Sequence, residues 1–180
     1  MSREELLIRS ATVADFDHCL AIDHSYQTSH VWQMDFSQHN TLATSRFQLV
    51  RLPRPLSVPY PYNADQLLQR WYQAHCFLVA EKDGRICAYV TVLLDNLDRV
   101  AWLGDIASAA AQRRQGHGSH LLVAASQWAR NEGVTRLLIA IQTKNYPGIQ
   151  FCQKNGFSFC GYNESWYYSG DIALFLGVTL

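Results

Sequence analysis

The spacing of apolar residues changes character several times along the chain, and each change marks an element. Leu6 to Arg9 is a short apolar run that predicts a strand, and Thr12 with Asp15 three residues later makes a capping-box-like helix start. That helix would turn Val13, Phe16, Leu20 and Ile22 inward. From His24 to His39 polar residues are interrupted by Tyr26, Trp32 and Phe36 without a sustained period, which predicts an irregular or short-helical region. Thr41 to Leu52 alternates loosely through Leu42, Phe47, Leu49 and Leu52 and reads as a strand. Pro53, Pro55, Pro59 and Pro61 should end it and form a stiff connector. Leu67, Leu68 and Trp71 recur at helical spacing within Ala64 to His75.

The middle of the chain turns to strand. Cys76 to Ala80 is apolar, Asp83-Gly84 is a two-residue hairpin turn, and Ile86 to Leu94 resumes the pattern. A second turn at Asp95 to Asp98 leads into a strand from Val100 to Ser108. Leu121, Leu122, Ala125, Trp128 and Ala129 then define one helical face, which stops at Gly133. Arg136 to Ile141 predicts a buried strand, and Pro147 to Lys154 a short helix closed by Asn155-Gly156. Phe157 to Tyr162 and Ile172 to Leu176 predict two more strands, with no internal repeat anywhere.

Length and composition narrow the classes. At 180 residues and 48% apolar content, one domain spanning 1–180 with one substantial core is expected. Lys plus Arg and Asp plus Glu are 15 each, so the overall charge points to neither nucleic acid nor an acidic membrane surface, and an anion site must be local. Cysteines at 19, 76, 87, 152 and 160 form no Cys-x-x-Cys pair and no zinc spacing, which predicts reduced thiols in a cytoplasm and no metal. The start MSREELLIRSA has neither the charge pattern nor the apolar length of a signal peptide. No stretch approaches the roughly 20 apolar residues that cross a bilayer.

The candidate chemistry lies in residues 103–122, LGDIASAAAQRRQGHGSHLL, where Arg113-x-x-Gly116-x-Gly118 stands between a strand and a long amphipathic helix. The first turn of a helix leaves N–H groups unpaired and concentrates partial positive charge, and glycine lets a phosphate approach the main chain. A helix start that merely contains two glycines would look the same. A P-loop needs Gly-Lys-Ser/Thr, and a dinucleotide fingerprint needs a small residue where Leu121 stands, so both fail. The segment resembles motif A of the GNAT acetyltransferases, Arg/Gln-x-x-Gly-x-Gly/Ala. Residues 141–157, IQTKNYPGIQFCQKNGF, resemble that superfamily's second cofactor segment, with Asn145, Phe151, Lys154, Gly156 and Phe157 on the pattern. Gln142, Asn145, the Gly-Asp-Ile-Ala stretch at 104–107 and the terminal DIALFL at 171–176 look most like its streptothricin acetyltransferase group.

The resemblance implies an α/β (α+β) fold: a mixed, mostly antiparallel sheet with helices on both faces and a splay between strands four and five. Acetyl-CoA would lie in the splay, its pantetheine arm pairing with Ile106, Ala107 and Ser108. The pyrophosphate would take N–H groups from Arg114, Gln115, Gly116, His117, Gly118 and Ser119. Arg113 and Arg114 would add charge, and Asn145 would steady the arm. A primary amine, on a small molecule, would attack the thioester directly after losing a proton, since a lysine-like amine has a pKa of about 10.4. Asp105 is the candidate base, through water, and is equally readable as a solvated strand-end charge. Cys152 stands where many family members place the tyrosine that protonates the thiolate; a thiol is a weak donor and a packing role competes. Ala140 replaces a common glutamate. His117 and His120 are expected to be exposed members of the loop. Tyr162, Glu164, Trp166, Tyr167 and Tyr168 could wall an acceptor pocket or fill a sheet surface. A peptide or protein N-terminal acetyltransferase, or a non-catalytic acyl-CoA-binding module, are the competing readings.

Overall fold

The computed structural model describes residues 6–95 and 97–180, which cluster into two compact units. The turn expected at 95–98 is therefore described except at position 96, and residues 1–5 of the N-terminal reading also lie outside the described residues.

The first unit holds residues up to His24, Tyr62–Ala140 and Gly177–Leu180. Strand β1 (Leu7–Ser10) is followed by a 3-10 turn (Val13–Asp15) and helix α1 (Phe16–Leu20), then helix α2 (Ala64–Tyr72). The hairpin β4 (Cys76–Lys82) and β5 (Arg85–Asp95) leads to β6 (Val100–Ser108), helix α3 (His117–Asn131) and β7 (Arg136–Gln142), which passes into the second unit at Ile141. β1, β4, β5 and β6 pair antiparallel in that order, and β6 pairs parallel to β7. Because side chains alternate across a strand, Phe77, Val79 and Tyr89 share one face and Leu78, Ala80, Ala88 and Val90 the other. Phe16 of α1 and Trp71 of α2 meet Phe77 with ring centroids 5.4 Å apart in each case, so α1 and α2 cover the first face. α3 packs on β4, β5 and β6 through Leu121, Leu122, Ala125 and Ala129, all buried.

The second unit holds Ser25–Pro61 and Ile141–Leu176. Here β2 (Tyr26–His39) and β3 (Leu42–Val58) form a long two-stranded ribbon, followed by α4 (Tyr146–Lys154), β8 (Ser158–Asn163) and β9 (Ala173–Thr179). β8 and β9 are neighbours in the strand order. Gly133 and Gly156, the two expected helix stops, take φ of +75° and +88°.

Three expectations are corrected. Residues 26–39 are a strand, because their polar face is solvated and cross-strand pairing supplies the order that burial does not. Pro53 and Pro55 lie inside β3: the pairing jumps from Thr28↔Leu56 to His30↔Arg51, so 52–55 bulge out of the ladder where a missing N–H costs nothing. Val13 is 67% exposed, whereas Phe16 and Ile22 are buried, because the first turn is 3-10 and rotates Val13 off the apolar face.

The entry to α1 is fixed by charge. Arg9 donates to both carboxylate oxygens of Asp15 at 2.7 and 2.9 Å and to Glu81 at 2.9 Å. The Thr12 N–H adds a bond to Asp15 at 2.8 Å. The guanidinium first, and then Thr12, holds the Asp15 carboxyl well below the usual range. A carboxylate with a depressed pKa stabilises the fold above its unfolded value and loses that contribution as pH falls. Asp15→Asn should cost about 1–2 kcal/mol at pH 7 in urea unfolding, and the gap to the parent should shrink as pH drops below about 4. A gap independent of pH would contradict this assignment.

Candidate functional site

The site begins with one extra residue in β6. Val90 pairs with Ile106 and Val92 with Leu103, so two steps on β5 meet three on β6, a bulge at Gly104–Asp105. The Asp105 N–H donates to the Thr91 hydroxyl at 2.8 Å. A Cβ on Gly104 would stand 2.7 Å from both Leu93 Cδ1 and Thr91 Oγ1, so the bulge needs glycine. The parallel β6–β7 ladder runs from Val100↔Arg136 to Leu103↔Ile139 and stops where the bulge starts. This is the splay expected between strands four and five, renumbered by the two ribbon strands. Ile106, Ala107 and Ser108 remain paired on one side, to Val90, Tyr89 and Ala88. Among the described residues no strand pairs with their other edge, which can accept an extended ligand arm.

Asp105 lies at the heart of the bulge. Its side chain has 0% exposure, and Arg70 Nε donates to Oδ2 at 3.2 Å. Arg70 also donates to the Gly104 carbonyl at 2.8 Å and lies over the Tyr62 ring, 4.3 Å from its centroid. The carboxylate is thus a neutralised internal anchor rather than a solvated charge. Behind it, the hydroxyl of fully buried Tyr89 is 2.7 Å from His24 Nε2, and burial lowers the His24 pKa.

β6 runs directly into the glycine loop. The Ala109 N–H donates to the Cys87 carbonyl at 2.8 Å, and a 3-10 turn follows at Ala110–Gln112. Arg113 Nε donates to the Ser108 carbonyl at 3.1 Å, and its Nη2 to the Asp23 carbonyl. Arg113 therefore clamps the loop to the strand end. Arg114 and Gly116 both adopt left-handed backbone, φ +66° and +91°. For arginine this costs on the order of 1 kcal/mol. Gly116 caps α3, whose first intrahelical bond is His120 N–H to the Gly116 carbonyl at 3.1 Å. The amides of His117, Gly118 and Ser119 precede that bond and so lack an intrahelical acceptor, as the first donors of a helix do.

His117 corrects another expectation. It is buried, not exposed, with Nε2 3.4 Å from Gln112 Oε1 and Nδ1 without a partner. Burial first, then neighbouring Lys82 and His120, lowers its pKa. His120 is exposed.

In the second unit Asn145 caps α4, its side-chain oxygen accepting from the Gly148 N–H at 3.0 Å. A Cβ on Gly148 would approach that oxygen to 2.8 Å. Phe151 is half-buried on α4, and Cys152 beside it is 1% exposed, its thiol pushed up to about 12 by burial. Sequence reasoning missed the network at the end of β7. Tyr26 donates to Gln142 at 2.9 Å, Gln142 to Asp171 at 2.8 Å, and Asp171 pairs with Lys144 at 2.7 Å. Of the C-terminal aromatics, Tyr162 meets Phe47 and Ser45, Trp166 packs on Phe175, Tyr167 is buried and Tyr168 fully exposed. Glu164 is exposed.

A loop of oriented amides at a helix start, fed by a strand with an open edge, suits a ligand that carries a diphosphate on an amide-rich arm. Comparison with known proteins agrees. A streptothricin acetyltransferase from Streptomyces lavendulae is 25% identical over 181 residues, covering 94% of this chain and 93% of that one. Among solved structures, nourseothricin acetyltransferase superposes with a TM-score of 0.83 at 23% identity, covering 97% of this chain and 98% of the other. A candidate streptothricin acetyltransferase from Bacillus anthracis str. Ames, in complex with acetyl coenzyme A, gives a TM-score of 0.78 at 20% identity over 98% and 100% of the two chains. Residues 45–157 match the Acetyltransferase (GNAT) family, and with the open strand edge leading into the amide loop already in place, the chain belongs to that family of acetyl-CoA-dependent N-acetyltransferases.

Proposed function

We propose that this enzyme acetylates a primary amine on a small, cationic molecule of the streptothricin kind, by direct attack of the amine on the thioester in a ternary complex. The observation that carries the substrate class is the near full-length similarity to the streptothricin acetyltransferase of Streptomyces lavendulae. Acetyl-CoA supplies an acyl group already activated as a thioester. Ile106, Ala107 and Ser108 offer the arm a strand edge, and the amides from Arg114 to Ser119 take the pyrophosphate. On the motif resemblance, Asn145 and Phe151 are further coenzyme contacts.

The side chains near the chemistry act by positioning. Asp105, shielded and bound by Arg70, holds the bulge that opens the strand edge, and is no longer assigned as the base. The Ala107 N–H is the candidate donor for the negative charge that develops on the carbonyl oxygen. Cys152 keeps its proton far above neutral pH and sits in the α4 packing, so thiolate protonation is assigned to solvent. The amine proton likewise leaves to water.

Mixing the enzyme with acetyl-CoA and a panel of amines should release coenzyme A thiol fastest with streptothricin-like cations. Acetylation confined to peptide N-termini, or tight acetyl-CoA binding with no turnover, would contradict the substrate assignment. Gly116→Val places a β-branched residue at φ +91° and should weaken coenzyme A binding at least about tenfold in a protein whose circular dichroism is unchanged. Undiminished affinity would remove the loop from the site. Cys152→Ala should leave kcat within about threefold while costing about 1–2 kcal/mol of stability. A loss of kcat near a hundredfold would restore the thiol to the chemistry.

A further inference from the structure

The network at the end of β7 is more elaborate than a partly exposed ion pair requires. Lys144 and Asp171 meet at 2.7 Å with side chains 30% and 19% exposed, and a pair so placed contributes little to stability. Yet the carboxylate is aimed by a scaffold of its own. Gln142, buried at the last position of β7, donates to Oδ2 at 2.8 Å, and the Ser169 hydroxyl donates to the same oxygen at 2.6 Å. Tyr26 of β2 donates to the Gln142 side-chain oxygen at 2.9 Å, which fixes the amide with its NH2 toward Asp171. The main chain holds the same place together: the Trp32 N–H donates to the Thr143 carbonyl at 2.9 Å, and the Thr143 N–H to the Ile172 carbonyl at 3.0 Å. Burying an amide costs free energy unless its ends are paired, so this scaffold matters only if the position of the carboxylate matters.

The two oxygens of Asp171 are not equivalent. Oδ2 accepts from Gln142 and Ser169 and has both lone pairs in use. Oδ1 accepts from Lys144, and among the described residues no other donor reaches it, so one of its lone pairs stays open. Lys144 is a long side chain that gives up rotamer freedom to remain there. Burial works to raise the Asp171 pKa, and the Lys144 ammonium and Ser169 hydroxyl outweigh it and hold it below the ordinary value. Asp171 is thus an ionised carboxylate with one rigidly held side and one exchangeable side, and what it holds on the exchangeable side is a primary alkylammonium.

An alkylammonium on a small molecule offers Oδ1 the same charge-assisted bond. Gln142 stands three residues after Ile139, the last β7 residue in the ladder to β6. We propose that Asp171, oriented by Gln142, Ser169 and Tyr26, binds a second, non-reacting ammonium of the acceptor, that Lys144 is the resident occupant this ammonium displaces, and that the enzyme thereby selects diamines and polyamines over monoamines. This rests on the proposed acetylation of a small cationic amine.

The test is steady-state kinetics of the full chain at saturating acetyl-CoA, with α,ω-diamines of three to six carbons and n-alkylamines of the same lengths. The parent should show a KM for the best diamine at least about tenfold below that of the matching monoamine. Asp171→Asn should raise the diamine KM to the monoamine value, leaving kcat within about threefold and the KM of acetyl-CoA within about twofold. Lys144→Met should act in the opposite direction, lowering the diamine KM at least about threefold, and should have no effect in the Asp171→Asn background, where a general change of charge would still act. A parent without preference for diamines, an Asp171→Asn loss shared equally by both amine classes, or a higher diamine KM in Lys144→Met overturns the proposal and leaves the acetyltransferase reading intact. Should circular dichroism show Asp171→Asn to be unfolded, Lys144→Met decides alone, since the sign of its effect separates an occupant from a brace. Turnover of no amine in either class overturns the proposed function, and this inference with it.

Discussion

The extra residue that β6 inserts at Gly104–Asp105 is the constraint on which the rest of the site depends. It ends the parallel ladder to β7 at Leu103, so the strand continues with one edge paired and the other open. A bulge of this kind bends a strand and leaves unpaired polar groups, and it persists only when its surroundings hold it. Here the Thr91 hydroxyl takes the Asp105 N–H, Arg70 takes both the Asp105 carboxylate and the Gly104 carbonyl, and glycine makes room for Leu93. A buried carboxylate with a guanidinium on it is costly to break, because either partner left alone is an uncompensated charge. The charge therefore has a structural function, and the chemistry benefits indirectly.

The same strand delivers the chain into the glycine loop, where the account proposed above assigns the diphosphate to main chain rather than to side-chain charge. The sequence has equal numbers of acidic and basic residues, so no broad field attracts an anion. Arg113 donates to the Ser108 and Asp23 carbonyls, which locks the loop to the strand end. Left-handed backbone at Arg114 and Gly116 then leads into the start of α3, whose first amides have no intrahelical acceptor.

Local signals made much of this readable from the residues. Asp83-Gly84 announces its hairpin because few dipeptides accept two positive φ values, and the α3 face of Leu121, Leu122, Ala125 and Ala129 repeats strongly enough to fix both the helix and its buried side. Gly116 marks the left-handed residue that opens α3. Features set by distant partners were not readable. The Tyr26–His39 strand has little apolar alternation and exists because residues 42–58 pair with it, and Pro53 and Pro55 are tolerated only because the register jumps around them. Asp105 looks like a solvated strand-end charge until Arg70, 35 residues away in sequence, is seen to cover it. His117 looks exposed until Gln112 and the packed loop enclose it.

Family membership fixes the type of reaction, and the proposed division of labour gives the arm a strand edge and the diphosphate the loop amides, with buried polar groups keeping both in place. Amide hydrogen exchange on the full chain, with and without coenzyme A, tests that division most directly. The account predicts that coenzyme A slows exchange in residues 114–119 and at 106–108, because those N–H groups or their strand edge become bonded to the ligand. Binding that leaves exchange in both segments unchanged would contradict it.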